Sequence, residues 1–277
     1  MPAPDAIACD QLAKLVGTPR APMILDIRPA ASRASDPRLI ASARPLPENS
    51  LSVAHIRTLS ADLSGPVVVA CDAGHGRSQG LAALLRHQGL RAEYLEGGHA
   101  AWVQAGLPTC NPAPITRLDA SGRSVWVTRS RPKIDRIACP WLILRFVDPR
   151  AVFLYVLPSE VSSVADLVGA MPYDIGDVFW SHRGEECTFD TMIREFGLRI
   201  PALDRLAMIV RGADTDRLDL APECAGLLAA SLGLSRMHSD DLAQLEAGMG
   251  LYDAFYRWCR DATGERHNWE NHAGPAR

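Results

Sequence analysis

Residues 67–80 read VVVACDAGHGRSQG. Four small apolar residues, Val67 to Ala70, deliver Cys71 into a loop that holds Gly74 and Gly76 and closes on Arg77 and Ser78. A cysteine between the end of a buried strand and the start of a helix is placed for nucleophilic chemistry. The thiolate is the reactive form, and that position favours it. The backbone N–H groups from Asp72 to Arg77 can turn inward as a nest for negative charge. The following helix, predicted from Ser78, adds about half a positive charge at the same point. Gly74 and Gly76 permit backbone conformations that a Cβ resists, and Arg77 can fork onto two oxygens of an anion. Cys71 and Arg77 are therefore the candidate catalytic pair, and Asp72, Ala73, Gly74, His75, Gly76 and Ser78 the candidate substrate or oxyanion loop. Two chemistries fit: carrying a sulfur atom, or gripping a tetrahedral oxyanion. A structural cysteine in a glycine-rich turn is the plainer alternative, which the spacing Cys-x-x-Gly-x-x-Arg-Ser disfavours. His75 reads equally well as a solvent-exposed loop residue, and Asp26 with Arg28 as a pair that braces loops at a strand end.

A second concentration of reactive types lies further on. VTRSRPKIDRIACPWLILRFVDP (127–149) gathers Arg129, Arg131, Lys133 and Arg136, suited to an anion or a nucleic-acid phosphate, although on charge alone a solvated loop is the better reading. Cys139 precedes Pro140 at an expected helix start, where a thiol can be activated; a small buried core cysteine is the competing reading. SHRGEECTFD (181–190) supplies His182, Glu185, Glu186, Cys187 and Asp190, and RGADTD (211–216) adds Arg211, Asp214 and Asp216. A metal or anion site is conceivable from these types. No spacing among them matches a closed metal site, and helix capping by Thr188 or Asp190 with salt bridges accounts for them better. The second-half candidates are Arg136, Cys139, His182, Cys187, Arg211 and Asp214, with the identity of any metal unknown.

The elements that must position these residues follow from periodicity. MILDIR (23–28), VVVA (67–70) and AEYLEGG (92–98) read as strands. SQGLAALLRHQGL (78–90) reads as a helix with Leu81, Leu84 and Leu85 on one face and Gly89 as its C-cap, and HAAWVQAGL as a closing helix. DPRLIASARPLPENS (36–50) reads as irregular. Strands alternating with helices imply a parallel sheet whose functional loops follow strand C-terminal ends. Beyond Pro108 the character changes: VWVT (125–128) and VFLYVLP (152–158) look like strands, whereas 139–149, 188–198, 202–214 and 240–262 look helical. The expected organisation is an α/β domain over 1–110, a Pro-, Gly- and Ser-rich linker over 111–123, a mostly α domain with a small sheet over 124–262, and a flexible tail over 263–277.

The composition supports two such domains. The chain has 277 residues, 47% of them hydrophobic and 22% charged, with a formal net charge of −3, and a domain takes about 100–200 residues. That balance gives no pull towards nucleic acid, although the cluster at 129–136 leaves it open. The N-terminus lacks a basic region followed by an apolar stretch, and no apolar run approaches the roughly 20 residues that span a bilayer. The seven cysteines are scattered, with no CxxC pair, which argues against a disulfide framework or a zinc ribbon. A reduced, cytoplasmic protein without membrane association is the simplest reading.

LDIR (25–28), VVVACDAGHGRS (67–78) and YLEGGHAAWVQAGLP (94–108) together resemble a single rhodanese domain. The resemblance implies a parallel sheet flanked by helices, with Cys71 as a nucleophile that carries sulfur as a persulfide or attacks an oxyanion. It also implies a small-molecule sulfur donor or oxyanion as substrate, a thiol as acceptor, and no required cofactor. Two departures are visible. Where rhodaneses usually have Gly-His-Ile-Pro-Gly-Ala, this chain reads LIASARPLPE. Five residues, not the four usual in sulfurtransferases of this fold, separate Cys71 from Arg77, a spacing similar to that of rhodanese-fold phosphatases and arsenate reductases. Against that second likeness, Ala70 stands where those enzymes generally carry His.

RPKIDRIACPWLILRFVDP, HRGEECTFD, IVRGADT, APECAGLLAASLGLSR and MGLYDAFYRWCR resemble the C-terminal domain of bacterial chromate-resistance proteins of the ChrB type. This implies a role near chromate or sulfate-like oxyanions and assigns no reaction. The combined expectation is a rhodanese-type sulfurtransferase acting in chromate or oxyanion resistance. The alternatives are a Cys-x5-Arg oxyanion reductase or phosphatase and a non-catalytic oxyanion or redox sensor.

Overall fold

The computed structural model describes residues 5–47, 53–63 and 65–265; of the tail expected to be flexible, 266–277 lie outside the described residues. In chain order the first half contains β1 (Ala6–Ile7), α1 (Cys9–Leu15), β2 (Met23–Asp26), α2 (Ala30–Ser35), β3 (Leu39–Ile40), β4 (Arg44–Pro45), α3 (Val53–Asp62), β5 (Val67–Ala70), α4 (Gly76–His87), β6 (Ala92–Leu95), α5 (Gly98–Gln104) and β7 (Thr109–Cys110). The second half contains β8 (Val125–Arg129), α6 (Asp135–Phe146), β9 (Val152–Val156), α7 (Val161–Val168), β10 (Met171–Pro172), α8 (Thr188–Glu195), α9 (Pro201–Asp214), α10 (Glu223–Met237) and α11 (Asp241–Asp261).

Five strands form a sheet in the order β1-β6-β5-β2-β4, parallel throughout. β5 lies at its centre and is buried at all four positions, as a strand covered on both faces must be. Cys71 leaves that strand at its C-terminal end, where a parallel sheet opens its loops. β8 pairs in parallel with β9 and β10 in a three-stranded sheet, and β3 pairs antiparallel with β7. The architecture is α/β, a parallel sheet flanked by helices, followed by a helical region with a small sheet. Among the described residues, no helix is long and apolar enough to cross a membrane.

Several boundaries differ from the sequence reading. The helix after the cysteine loop starts at Gly76 and ends at His87, and Leu84 is 36% exposed while Leu81 and Leu85 are buried. The stretch 36–50, expected to be irregular, contributes β3 and β4. α6 begins at Asp135, four residues earlier than Pro140 and the apolar run suggest, and carries Pro140 inside it. Proline lacks the N–H that would bond the carbonyl of Arg136. The hydroxyls of Tyr155 and Tyr173 donate to that carbonyl instead, at 3.2 and 3.3 Å. Tertiary partners, invisible to a local pattern, make the longer helix possible.

One buried apolar cluster runs through both halves, from Leu12, Ile24 and Trp102 to Trp126, Trp141, Phe146 and Tyr252. α6 presses against the first half directly. Ser42 N–H donates to the Phe146 carbonyl at 2.7 Å, and the Phe146 ring lies where a Cβ on Gly17 would stand.

Candidate functional site

Cys71 is 5% exposed, at the floor of the loop between β5 and α4. The loop is shaped from below by α5 and the glycines before it. His99 N–H donates to the Cys71 carbonyl at 2.8 Å and Ala100 N–H to the Asp72 carbonyl at 2.9 Å. Gly97 and Gly98 both take positive φ. A Cβ on Gly98 would strike the Cys71 carbonyl and come within 2.6 Å of Gly74 N and 2.8 Å of Ala73 N. The pair Gly97–Gly98 is thus the bed on which the cysteine loop rests. Gly74, at φ +73°, is fitted just as closely, its absent Cβ facing the Leu95 carbonyl at 2.7 Å and Gly97 N at 2.8 Å. At Gly76 nothing stands within 4 Å of a Cβ and φ is not positive, so the need for glycine that the sequence suggests there is not steric.

The electrostatics of Cys71 are a contest. Burial pushes its thiol up; against this, the Ser78 hydroxyl and the backbone N–H groups of Ser78, Ala73 and His75 stabilise the thiolate, and the net shift is downward. Ser78 Oγ lies 3.1 Å from Cys71 Sγ and 3.1 Å from the His75 carbonyl, and Ser78 is fully buried. Its single hydrogen turns to the carbonyl beside a thiol and to the sulfur beside a thiolate. His75 is exposed, and Asp72, half-buried, accepts from Ser32 Oγ at 3.3 Å. Arg77 is exposed and donates from Nε to the Ile27 carbonyl at 3.1 Å, which ties the first turn of α4 to the end of β2.

Asp26 and Arg28 form a buried ion pair at 2.7 Å. Arg28 also donates to the Asp36 and Arg38 carbonyls, and its Nη1 lies 3.1 Å from His99 Nδ1. The guanidinium therefore joins β2, the segment before β3 and the start of α5, the helix that supports the cysteine loop. His99 is held below its usual range by burial and by the Arg28 charge, so it sits neutral against Arg28.

The second-half candidates fall into one region and divide by role. His182 Nε2 lies 3.3 Å from Asp214 Oδ2, 3.5 Å from Asp135 Oδ2 and 3.5 Å from Asp174 Oδ1. These three carboxylates push the His182 imidazole far up, while burial pushes Asp135 up. Arg136 lies 3.3 Å from Asp174 through Nε. Arg211 Nε lies 3.5 Å from Asp190 Oδ2. Cys187 is the buried N-cap of α8, its N–H donating to Asp190 at 3.0 Å. Cys139 is a correction: it sits inside α6 and not at a helix start, fully buried, and burial with the surrounding carboxylates pushes its thiol well above the usual range. Cys187 is raised in the same way. Neither thiol is an activated one.

Two members of this cluster, Asp135 and Asp174, escape sequence reasoning. Asp135 stands inside the quoted basic stretch, where the charge cluster masks it; Asp174 has no local signal and takes a positive φ of 52°. Asp135, His182 and Asp214 each present one ligand atom, all within 4.8 Å of one another, and are the described residues able to hold a metal ion.

Comparison with known proteins agrees with these two regions. The rhodanese-like domain family matches residues 8–105, and the family of the ChrB C-terminal domain matches residues 126–259. Protein ChrB of Cupriavidus metallidurans is 33% identical over 164 residues, which cover 58% of this chain and 47% of that protein. The chain thus spans about half the length of the curated relative it matches. A rhodanese-related protein from Thermoplasma volcanium is 24% identical, covering 38% of this chain and 95% of its own, at a TM-score of 0.30. A thiosulfate sulfurtransferase from Pseudomonas aeruginosa is 26% identical, covering 39% of this chain and 19% of its own, at a TM-score of 0.29. The chain joins a rhodanese-like domain, residues 8–105, to a ChrB C-terminal domain, residues 126–259.

Proposed function

We propose that this protein is a rhodanese-type sulfurtransferase that carries sulfane sulfur as a persulfide on Cys71 and acts in resistance to chromate or related oxyanions. The observation that supports it most is the loop itself. A nearly buried cysteine at the C-terminal end of the central strand has its thiol drawn down by Ser78 and three backbone N–H groups. In the first half-reaction the Cys71 thiolate attacks the sulfane sulfur of a donor such as thiosulfate; an S–S bond forms between Cys71 Sγ and that sulfur, the donor S–S bond breaks, and sulfite leaves with the electron pair. In the second, an acceptor thiolate attacks the outer sulfur of the persulfide and Cys71 departs as thiolate. The same amides and the N-terminus of α4 stabilise the negative charge at both ends of the cycle. The resistance role rests on the likeness of residues 126–259 to the ChrB C-terminal domain.

A second reading is favoured by one feature, the five residues between Cys71 and Arg77. In it the loop amides cradle a tetrahedral oxyanion that Cys71 attacks. Parallel assays separate the two: sulfur transfer from thiosulfate to a thiol acceptor or cyanide, and turnover of phosphate esters and arsenate, each with Cys71→Ser beside the wild type. Sulfur transfer lost in Cys71→Ser is the expected result. Transfer undiminished in that variant, or ester or arsenate turnover without sulfur transfer, overturns the sulfurtransferase assignment.

A further inference from the structure

The ChrB-type half holds a constellation that no part of the Cys71 chemistry uses. Three helix ends meet there. Asp135 is the first residue of α6, Asp214 the last of α9, and Thr188 the first of α8. His182 approaches them from the loop before α8. Thr188 N–H donates to Asp135 Oδ2 at 2.6 Å, Phe189 N–H lies 3.3 Å from Asp135 Oδ1, and Thr188 Oγ donates to Asp174 Oδ1 at 2.9 Å. Asp135 N–H in turn lies 3.4 Å from Asp214 Oδ1. The carboxylates are thus oriented by backbone and hydroxyl donors before anything is bound to them.

What they are oriented towards is one nitrogen. Nε2 of an imidazole carries a single hydrogen, and three carboxylate oxygens surround it at 3.3, 3.5 and 3.5 Å. Charge-assisted N–H···O bonds close to about 2.7–2.9 Å, so none of the three has the length of such a bond. The separations from His182 to Asp135 and Asp214, 3.5 and 3.3 Å, instead match edges of a coordination shell. Nitrogen and oxygen ligands at about 2.0–2.2 Å from a tetrahedral cation lie about 3.3–3.6 Å apart. Charge points the same way. The nearby arginines, Arg136 and Arg129, approach Oδ2 of Asp174, whereas His182 approaches Oδ1. Asp135 and Asp214 have no arginine or lysine within ion-pair distance among the described residues.

A separate observation lies beside the cluster. Arg211, three residues before Asp214 and so on the same side of α9, directs its Nε to Asp190 Oδ2 at 3.5 Å, so its charge faces Asp190 and not Asp135 or Asp214. The site is also accessible: Asp135 is buried, but the His182 side chain is 40% exposed and that of Asp214 19%.

We propose that Asp135, His182 and Asp214 hold a divalent first-row transition-metal ion, with Asp174 and Thr188 orienting the ligands and at least one coordination position open to solvent. One imidazole with two carboxylates suits Mn²⁺, Fe²⁺, Co²⁺ or Zn²⁺ better than Mg²⁺ or Ca²⁺, which take all-oxygen shells. The assignment stands independently of Cys71.

The full-length protein, stripped with a chelator, is titrated with Mn²⁺ and free metal is followed by its EPR signal; Zn²⁺ is titrated by calorimetry. The expected result is one equivalent bound per chain, weakened at least about tenfold in Asp214→Asn and in His182→Gln, and unchanged in Cys71→Ser. His182 is on an exposed loop and Asp214→Asn is nearly isosteric, so each variant backs up the other should one fail to fold, as circular dichroism will show. No binding of either ion by the wild type at millimolar concentration overturns the site, as does unaltered affinity in the folded variants.

Discussion

Cys71 Sγ and Ser78 Oγ stand 3.1 Å apart beneath the loop, one at its first residue and the other in the first turn of α4. The hydroxyl is the leading contributor opposing the upward pressure of burial on the thiol. The rate of alkylation by iodoacetamide should therefore rise with pH through a midpoint below that of an ordinary cysteine, about 8.5. The sign follows from the reacting species: only thiolate attacks, and stabilising it moves the curve to lower pH. In Ser78→Ala the curve should move to higher pH. A hydrogen bond to a charged group contributes about 1.5–3 kcal/mol, so reactivity at neutral pH should fall on the order of tenfold. Superimposable pH–rate curves for wild type and Ser78→Ala would show that the hydroxyl does not govern the sulfur.

Gly98 and Gly76 make an internal contrast. Gly98 has a φ of +59°, and its absent Cβ faces the Cys71 carbonyl and two loop nitrogens. Gly76 has open space where a Cβ would go. Gly98→Ala should therefore cost about 1–3 kcal/mol and displace the cysteine loop, slowing Cys71 alkylation. Gly76→Ala should unfold within about 0.5 kcal/mol of wild type and keep that reactivity. Urea midpoints and alkylation rates of the two variants decide it, and equal behaviour would remove the argument that the glycine pair forms the bed of the loop.

The contrast also marks how far the sequence is legible. The apolar run before Cys71, the glycine punctuation and the order of strands and helices are local patterns, and a parallel sheet with Cys71 at the C-terminal end of a buried strand follows from them; that this strand is the central one is seen only in the sheet order. What local patterns miss are features held by distant partners. The first turn of α6 forms ahead of Pro140 because Tyr155 and Tyr173 take up the Arg136 carbonyl. Asp135 and Asp174 join His182 only when α6, the segment after β10 and the loop before α8 are brought together, across sequence separations of 8 to 47 residues. A scan for ligand spacing within one short stretch cannot find a site whose members come from four segments. The cysteines err the other way: Cys139 resembles a helix-start thiol locally, and tertiary burial makes it inert.

Gly17 and Phe146 test whether the two family-matched regions behave as separate units. Gly17 has a φ of +75°, and the Phe146 ring fills the space a Cβ would occupy. Phe146 is fully buried, packs on Trp141 and Tyr256 with ring centroids 5.7 and 5.4 Å away, and accepts from Ser42 N–H through its carbonyl. A side chain at position 17 must therefore shift a ring that belongs to the aromatic core of the other half, besides straining the backbone. Gly17→Ala should cost about 2–4 kcal/mol, the sum of an unfavourable φ and overpacking in a dense core. Because one buried cluster connects the halves, the loss should appear equally in both. Cys71 alkylation reports the first half. Fluorescence of Trp126, Trp141, Trp180, Trp258 and Trp269 reports the second, with Trp102 replaced by Phe in the background used for both proteins. Coincident urea midpoints for the two probes, both shifted down in Gly17→Ala, are expected. Separate midpoints, with only the first half moved, would show that the contact between Gly17 and Phe146 does not couple them.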